Sequence, residues 1–141
     1  MRLTTYTDFA LRTLMYLTAR SGRATIAQVA DLFGISSHHV AKVVNHLARL
    51  GYLRCIRGIG GGIELARLPE DIRLGEVIEA MEGNLHLMEC MESDDVCAIQ
   101  PFCKLKAAFA EAERVQLEFL NGITLRDVSP TKRRLSQLDF A

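Results

Sequence analysis

Several features are missing from this sequence, and each absence excludes a class of protein. No apolar run approaches the roughly 18 residues needed to cross a bilayer. The first residues lack the apolar core and the cleavage site of a signal peptide, and four cysteines are too few for a secreted disulfide scaffold. We therefore expect a cytoplasmic protein of 141 residues that forms one compact domain, or a small domain with an extension.

Catalytic signatures are also missing. The sequence offers no nucleophile–base–acid set and no cofactor fingerprint. The glycines at 60–62 do not form a phosphate loop, because no Lys-Ser or Lys-Thr follows them and no helix is predicted to begin there. We therefore predict that the protein is not an enzyme.

The net charge is zero, but this total conceals an asymmetry. Residues 1–67 carry nine lysines and arginines against three acids, a net charge of +6. Residues 68–141 carry eight against fourteen, a net charge of −6. A basic half beside an acidic half is typical of a protein whose one end binds a polyanion, although chance segregation of surface charge gives the same pattern.

The pattern of apolar residues predicts a mainly α-helical protein with one short hairpin. Helical periodicity bounded by capping residues and glycines places helices at 3–20, 26–33, about 37–50, 74–82 and about 104–120. Between the third and fourth helices, Tyr52–Arg57 and Ile63–Ala66 are predicted to form two strands joined by a glycine-rich tip. Cys55, alone in the first strand, is expected to be buried.

Ala30, Gly34 and Val40 indicate a helix-turn-helix. Such a motif needs a small residue where the helices touch, a glycine in the tight turn and a β-branched residue that packs the second helix on the first. The three residues lie four and then six positions apart, as the motif requires. An ordinary helical hairpin would show the same triplet, but the ribbon that follows favours a winged helix.

A winged helix would place its second helix in the major groove of DNA. Hydroxyls and imidazoles at the start of that helix can bond phosphates or base edges, and a wing arginine can enter the minor groove. The predicted DNA-binding residues are Ser36, Ser37, His38, His39, Lys42, Arg54, Arg57, Gly60 and Gly61. The two histidines are poor partners for one metal ion, because adjacent helical side chains diverge by about 100°.

Three of the four cysteines, Cys90, Cys97 and Cys103, lie within fourteen residues. In a reducing compartment this spacing indicates metal or redox chemistry. The gaps between these cysteines, six and five residues, are longer than the gaps of about two to four residues that are typical of zinc sites. Zinc sites and iron–sulfur sites both normally need a fourth ligand. The candidate fourth ligands are His86, Glu89, Asp94 and Asp95, or a residue from elsewhere. An iron–sulfur cluster, zinc and unligated thiols all remain open on spacing alone.

The combination of a basic helix-turn-helix, the wing Arg57–Arg67 and three cysteines before a long helix resembles the Rrf-type family of bacterial winged-helix iron–sulfur regulators. Within that family the sequence is most similar to the nitric-oxide-sensing repressors. The resemblance runs from Met1 to about Val128 and includes the segment Thr124–Val128. It implies a homodimer that binds a palindromic operator in double-stranded DNA, with Lys104–Leu120 as the helix that crosses to the partner.

The resemblance also implies an iron–sulfur cluster on the three clustered cysteines, with 4Fe–4S favoured over 2Fe–2S. Asp8 occupies the position from which a carboxylate of the partner subunit completes such a site. Arg12, one helical turn further on, can pair with Asp8 when the cluster is absent. Two departures stand out: the family commonly has five residues in the first cysteine gap, and Lys106 replaces a histidine ligand of the relatives that regulate cluster assembly.

The implied organisation has four parts. A winged-helix DNA-binding domain occupies 1–68, with its first helix also packed on the dimer partner, and a connecting helix and cluster loop occupy 69–103. A dimerisation helix follows at 104–128, and a flexible tail at 129–141. Nitric oxide would then derepress nitrosative-stress genes. Two alternatives stay open: a sibling regulator that senses iron, cluster supply or oxidants, and an iron–sulfur or thiol redox protein without a DNA role.

Overall fold

Seven α-helices and one two-stranded hairpin follow one another in the computed structural model, which describes residues 2–138. The helices are α1 (Thr5–Arg20), α2 (Ile26–Phe33), α3 (Ser37–Arg49), α4 (Leu74–Glu82), α5 (Lys104–Asn121), α6 (Leu125–Val128) and α7 (Lys132–Leu138), and the strands are β1 (Leu53–Ile56) and β2 (Gly62–Leu65). This order confirms the predicted mainly α winged helix-turn-helix with a two-stranded wing and a long C-terminal helix. Met1 and residues 139–141 lie outside the described residues.

Helix α2 begins and ends at the residues that the sequence marks. The Gln28 amide donates to Thr25 Oγ1 at 3.2 Å, and the Thr25 amide donates to Gln28 Oε1 at 2.9 Å. This reciprocal cap satisfies two amides that would otherwise lack partners. Gly34 ends the helix with φ 64°, a left-handed conformation that glycine adopts without steric cost.

The crossing of α2 and α3 has the predicted helix-turn-helix packing. Ala30 is 4% exposed and Val40 is fully buried, and both residues belong to the core cluster. Ser36 begins α3, and its Oγ accepts from the His39 amide at 3.2 Å. The short turn therefore holds α3 across α2 while leaving the first turn of α3 exposed.

The wing is an antiparallel pair in which Leu53 faces Leu65 and Ile56 faces Gly62. A bridge outside the hairpin joins β2 to the chain before α2: the Ala24 amide donates to Ile63 O at 3.0 Å, and the Ile63 amide to Ala24 O at 2.7 Å. β1 thus forms the free edge of the sheet. Cys55 on that edge is exposed, so the expectation that it is buried is wrong.

Helix α1 runs through the core. Leu14 and Leu17 of α1 pack in one cluster with Leu47 of α3, Val77 of α4 and Leu125 of α6. All five are at most 1% exposed. At about 1.5–3 kcal/mol for each fully buried large aliphatic side chain, this cluster is the main source of stability for the fold.

The C-terminal part agrees with the prediction at the end of the long helix and differs from it further along the chain. Helix α5 ends at Asn121, close to the predicted end at about 120, and residues 125–128 form the separate helix α6, whose Leu125 amide donates to Ile72 O at 2.8 Å. After Pro130 the prediction of a flexible tail is wrong up to Leu138: Lys132–Leu138 forms α7, and Leu135 is only 5% exposed against the core. One buried leucine in a basic segment gives no periodic signal, so only the tertiary contact reveals the helix.

We expect Gly62→Ala to destabilise the protein. An added Cβ would lie 2.4 Å from the carbonyl oxygen of Ala24, and φ 145° is rarely adopted by L-residues. The expected loss in free energy of unfolding, measured by urea denaturation, is about 1–3 kcal/mol. Gly22→Ala is the control, because an added Cβ there meets nothing within 4 Å. Equal denaturation midpoints for the two variants would contradict this role of Gly62.

Candidate functional site

The predicted DNA-reading residues of α3 are exposed along its first turns. Ser36, Ser37, His38, His39 and Lys42 are all accessible. Ser36 Oγ accepts the hydrogen bond that caps α3, but the Ser36 hydroxyl proton stays free to donate. The start of α3 therefore presents hydroxyls, imidazoles and one ammonium group, a set that suits phosphate and base-edge contacts.

Helix α1 contacts α3 through the side chains of its first turns. Tyr6 Oη donates to the Lys42 carbonyl at 3.1 Å, and the Tyr6 ring stacks on His46 with centroids 5.7 Å apart. The Phe9 ring lies 6.2 Å from that of His39. Movement of the first half of α1 would therefore displace the residues of α3 that face outward.

Two further residues of the exposed α3 face were missed by the sequence analysis. Asn45 and Arg49 lie three and seven positions after Lys42, and with Tyr6 these side chains line one shallow depression. The helical spacing of Lys42, Asn45 and Arg49 is the signal that could have found them.

The arginines at and beside the wing differ in whether they form ion pairs. Arg54 and Arg23 both pair with Glu64, at 3.2 and 3.3 Å. Arg23 also donates to the carbonyl of Gly60 at 2.6 Å, which fixes the wing tip from outside the hairpin. Arg57, in contrast, is exposed and forms no ion pair among residues 2–138. Arg57 is thus the wing cation most available to a groove, and Arg23 is a support that the sequence analysis missed.

The glycines of the wing tip serve its shape. An added Cβ on Gly61 would lie 2.4 Å from the Ile56 carbonyl oxygen, and Gly60 has φ 74°. Only glycine fits both positions without strain. The tip therefore exposes bare backbone, as the predicted contact with DNA requires.

A polar cluster attaches the base of the wing to α4. Arg67 donates to Glu76 Oε1 at 2.7 Å, and its guanidinium lies 5.4 Å from the centre of the Tyr52 ring. Burial raises the pKa of Tyr52 to about 12, and the nearby Glu76 carboxylate adds to the effect. The hydrogen bond from Arg67 holds the pKa of Glu76 below its usual range despite partial burial. The wing and α4 are therefore joined by charged groups as well as by apolar packing.

The three clustered cysteines lie in the segment 84–103, here called the cysteine loop, between α4 and α5. Cys90 is buried in a short 3₁₀ turn, Cys97 is exposed and Cys103 is the N-cap of α5. Cys103 Sγ accepts from the Lys106 amide at 3.4 Å. A helix N-terminus favours an anionic ligand such as a thiolate.

One glutamine holds the cysteine loop together. Gln100 Nε2 donates to the carbonyls of Cys90 and Ser93 at 2.9 and 2.7 Å, and Gln100 Oε1 accepts from the Val96 amide at 3.1 Å. Among residues 2–138, no three His, Cys, Asp or Glu side chains lie close enough to hold a metal ion. Three thiol donors in one loop match the chemistry of an iron–sulfur site, but the described chain does not bring them together by itself.

Candidate fourth ligands within the loop are partly engaged. Glu113 of α5 accepts from the Leu87 amide at 2.8 Å and lies 3.2 Å from His86 Nδ1. Asp94 lies 3.9 Å from Lys106. These contacts anchor the start of the cysteine loop on α5 and leave His86 already paired.

The N-terminus of α1 is tied to the end of α4. Glu82 Oε1 accepts from the Thr4 amide at 2.8 Å and from Thr4 Oγ1 at 2.9 Å. Burial acts to raise the pKa of Glu82, but hydrogen bonds from Thr7 and Thr4 outweigh it and hold the pKa below its usual range. The cysteine loop begins directly after Glu82 and Gly83, so this contact links the loop to α1.

Asp8 and Arg12 form the ion pair that the sequence analysis anticipated. Arg12 binds the carboxylate through two nitrogens, at 2.8 and 3.0 Å, and both side chains are 44% exposed. A pair this exposed is worth up to about 1 kcal/mol. The Asp8 carboxylate is therefore accessible and only weakly held.

Comparison with known proteins adds three findings. The family model described as Rrf2, iron-dependent transcriptional regulator, matches residues 3–131. The chain is 42% identical over 141 residues to the HTH-type transcriptional regulator NsrR of Bacillus subtilis (strain 168), covering 98% of this chain and 97% of the relative. It is 40% identical to NsrR of Shouchella clausii (strain KSM-K16), covering 91% and 88%.

Solved structures with the same fold include the global cysteine regulator CymR of B. subtilis, with a TM-score of 0.74 at 21% identity over 92% of this chain and 96% of that one. IscR of T. potens has a TM-score of 0.72 at 24% identity, covering 90% and 85%. Within residues 2–138, no helix is long and apolar enough to span a membrane.

We expect Glu82→Gln to lower the free energy of unfolding by about 1 kcal/mol at neutral pH, because the amide accepts weaker hydrogen bonds from Thr4 than the carboxylate does. A lowered carboxyl pKa stabilises the folded state above the unfolded pKa, and this contribution is lost as the pH falls through the folded pKa. The difference from wild type should therefore shrink in acid. Urea denaturation at neutral and acidic pH measures it.

Glu79→Gln is the matched control, since it removes one carboxylate from the same helix at an exposed position. An equal loss of stability in both variants at neutral pH would show that the Thr4 contact is not the cause.

Proposed function

The chain belongs to the Rrf2 family of transcriptional regulators, and from this membership we propose that it is an iron–sulfur-dependent repressor whose operator binding is released by nitric oxide. The observation that carries the proposal is a continuous set of contacts from the cysteine loop to the DNA-reading helix. Glu82 joins the start of the loop to Thr4 of α1, and α1 in turn contacts α3 through Tyr6 and Phe9.

The residues proposed to hold the cluster are Cys90, Cys97 and Cys103 of one chain and Asp8 of the partner subunit. A cluster of the 4Fe–4S type bound there would supply iron that reacts with nitric oxide. The chemistry of the donors supports this choice: three soft thiols suit iron–sulfur ligation, and one hard carboxylate is the weaker ligand. The accessible position of Asp8 at the start of α1 supports its reaching a neighbouring chain.

Arg12 acts as the competing partner for Asp8. The structure contains the Arg12–Asp8 ion pair, and in this proposal the pair forms when the carboxylate is not ligating. Since this exposed pair is worth at most about 1 kcal/mol, a stronger ligand can displace Arg12. Asp8 therefore has two alternative partners, and the choice between them would decide how α1 is held against α3.

The required energy is small. A tenfold change in operator affinity corresponds to about 1.4 kcal/mol. Coupling between two sites is commonly worth about 1–3 kcal/mol. In this proposal, release of Asp8 of the partner subunit lets α1 shift against Lys42 and His39. A coupling free energy of this size between the cluster and α3 would be enough to switch a repressor off.

Operator DNA would contact the start of α3 and the wing. Ser36, Ser37, His38, His39 and Lys42 lie where a recognition helix meets the major groove. Arg57 would enter the minor groove, with the bare backbone of Gly60 and Gly61 allowing close approach. Arg54, already paired with Glu64, would contribute less.

A homodimer is proposed because α5 leaves an apolar stripe uncovered. Leu105, Val115 and Phe119 are 53%, 50% and 69% exposed, and Ala108 and Ala112 lie between them at helical spacing. A neighbouring side of α5 faces its own chain through half-buried Phe109, Glu113 and Leu117. A second copy of α5 would cover the stripe. The resulting dimer would supply Asp8 of the partner subunit to the proposed cluster site.

Anaerobically purified protein is expected to contain iron and sulfide and to bind duplex DNA from its own promoter region until nitric oxide is added. Cys97→Ala should lack the cluster spectrum and should bind that DNA at least tenfold more weakly. A gel-shift titration run beside the absorbance spectrum measures both properties.

Cys55→Ala is the matched control, because this exposed cysteine lies in the wing and outside the cysteine loop. It should keep the cluster and its response. A Cys97→Ala protein that binds operator as tightly as the nitric-oxide-free protein would refute the proposal. Release by iron chelation or oxygen but not by nitric oxide would favour the sibling regulator, and absence of any DNA binding would favour a redox protein.

Phe119→Glu is expected to convert the dimer to a monomer, because it replaces the most exposed apolar side chain of the stripe by a charge. Analytical ultracentrifugation of the apoprotein measures this directly. Ala107→Glu adds the same charge on the polar face of α5 and should leave the mass unchanged. A dimeric Phe119→Glu protein would show that the interface lies elsewhere.

A further inference from the structure

Helix α7 begins with basic residues, whereas the rest of the C-terminal half is acidic. Residues 68–131 carry five lysines and arginines against thirteen acids, whereas Lys132, Arg133 and Arg134 are three consecutive cations. All three are exposed, and none forms an ion pair within the described residues 2–138. Their charge is thus available to an anionic partner.

The position of α7 is defined by packing. Leu135 is 5% exposed and belongs to the core cluster. Lys132 and Ser136, on either side of it, line a crevice of about 250 Å³ together with Arg20 and Gly22 at the end of α1. The cations therefore lie on a docked helix, at the connection between α1 and α2.

This connection leads directly to the wing tip. Arg20 Nε donates to the Arg23 carbonyl at 2.9 Å, and Arg23 donates to the Gly60 carbonyl at 2.6 Å. Arg20 also donates to Tyr16 Oη at 3.1 Å, and Arg23 is paired with Glu64. Because both arginines are used internally, the free cations of this region are those of α7.

We propose that α7 is a second DNA-backbone contact, in which Lys132, Arg133 and Arg134 bind phosphates beside the groove that the wing enters. The inference rests on the proposed function, since it requires DNA as the partner. Duplex DNA offers about one negative charge for every 1.7 Å of its axis. Consecutive helical side chains diverge by about 100°, but lysine and arginine side chains are long and flexible, so between one and three of these cations can reach phosphates of one duplex. Such contacts carry no sequence information and would raise affinity for any duplex.

The test is the salt dependence of binding to mixed-sequence duplex DNA by the full chain, which needs neither a known operator nor a particular state of the cysteine loop. The variants are Lys132→Gln/Arg133→Gln/Arg134→Gln and a control that neutralises three exposed cations elsewhere, Arg73→Gln/Arg114→Gln/Arg126→Gln. Each phosphate contact contributes about 0.9 to the slope of log affinity against log salt. The α7 variant should lose between about 1 and 3 slope units per bound protomer, and the control none.

Equal slopes for the α7 variant and wild type would overturn the inference, and so would equal losses in the α7 variant and the control. Arg57→Gln separates this outcome from failure of the proposed function. If Arg57→Gln lowers the slope and the α7 variant does not, DNA binding stands and only the role of α7 fails. If wild-type protein does not bind duplex DNA, both proposals fail.

Discussion

The rest of the structure depends on the burial of α1 on almost all sides. Leu14 and Leu17 contact the core shared by α3, α4 and α6, and Leu135 packs α7 on the same helix. Even its buried threonines are satisfied internally, with Thr13 and Thr18 donating to the carbonyls of the preceding turn at 2.8 and 2.9 Å. Since a close-packed helix cannot shift without disturbing its neighbours, α1 connects α3, α4, α6 and α7.

This central position gives the two ends of α1 different tasks. Its N-terminal end is bound by Glu82, carries Asp8 and Arg12 and contacts α3 through Tyr6. Its C-terminal end lies beside α7 and the chain that supports the wing tip. The proposed sensor acts on the first end, and the proposed additional DNA contact lies at the second. Weak exposed contacts at the N-terminal end and strong apolar packing in the middle are the combination expected of an element that shifts without unfolding.

The wing, too, is held in place by contacts with other parts of the chain. A two-stranded hairpin is only marginally stable alone. Here Ala24 adds a backbone bridge on one side, and Tyr52, Arg67 and Glu76 fix the base to α4. The tip is held by the hydrogen bond from Arg23 to the Gly60 carbonyl, whereas the base is held by a cation over an aromatic ring. Rigid placement of the base and bare backbone at the tip suit a contact that follows groove shape.

Local chemistry in the sequence was enough to predict much of this protein. The capping box at Thr25, the left-handed turn at Gly34 and the buried Val40 depend on neighbours within a few residues, so their outcome can be derived from the chain alone. The Asp8–Arg12 pair could be anticipated for the same reason, since it spans one helical turn. Tertiary structure alone decided what depends on distant partners. Glu82 meets Thr4 across 78 residues, Arg23 meets Gly60 across 37, and α7 is held by one leucine that no periodic pattern announces. Hydrogen bonds and apolar burial between distant segments depend on how the whole chain packs, and no local pattern encodes that packing.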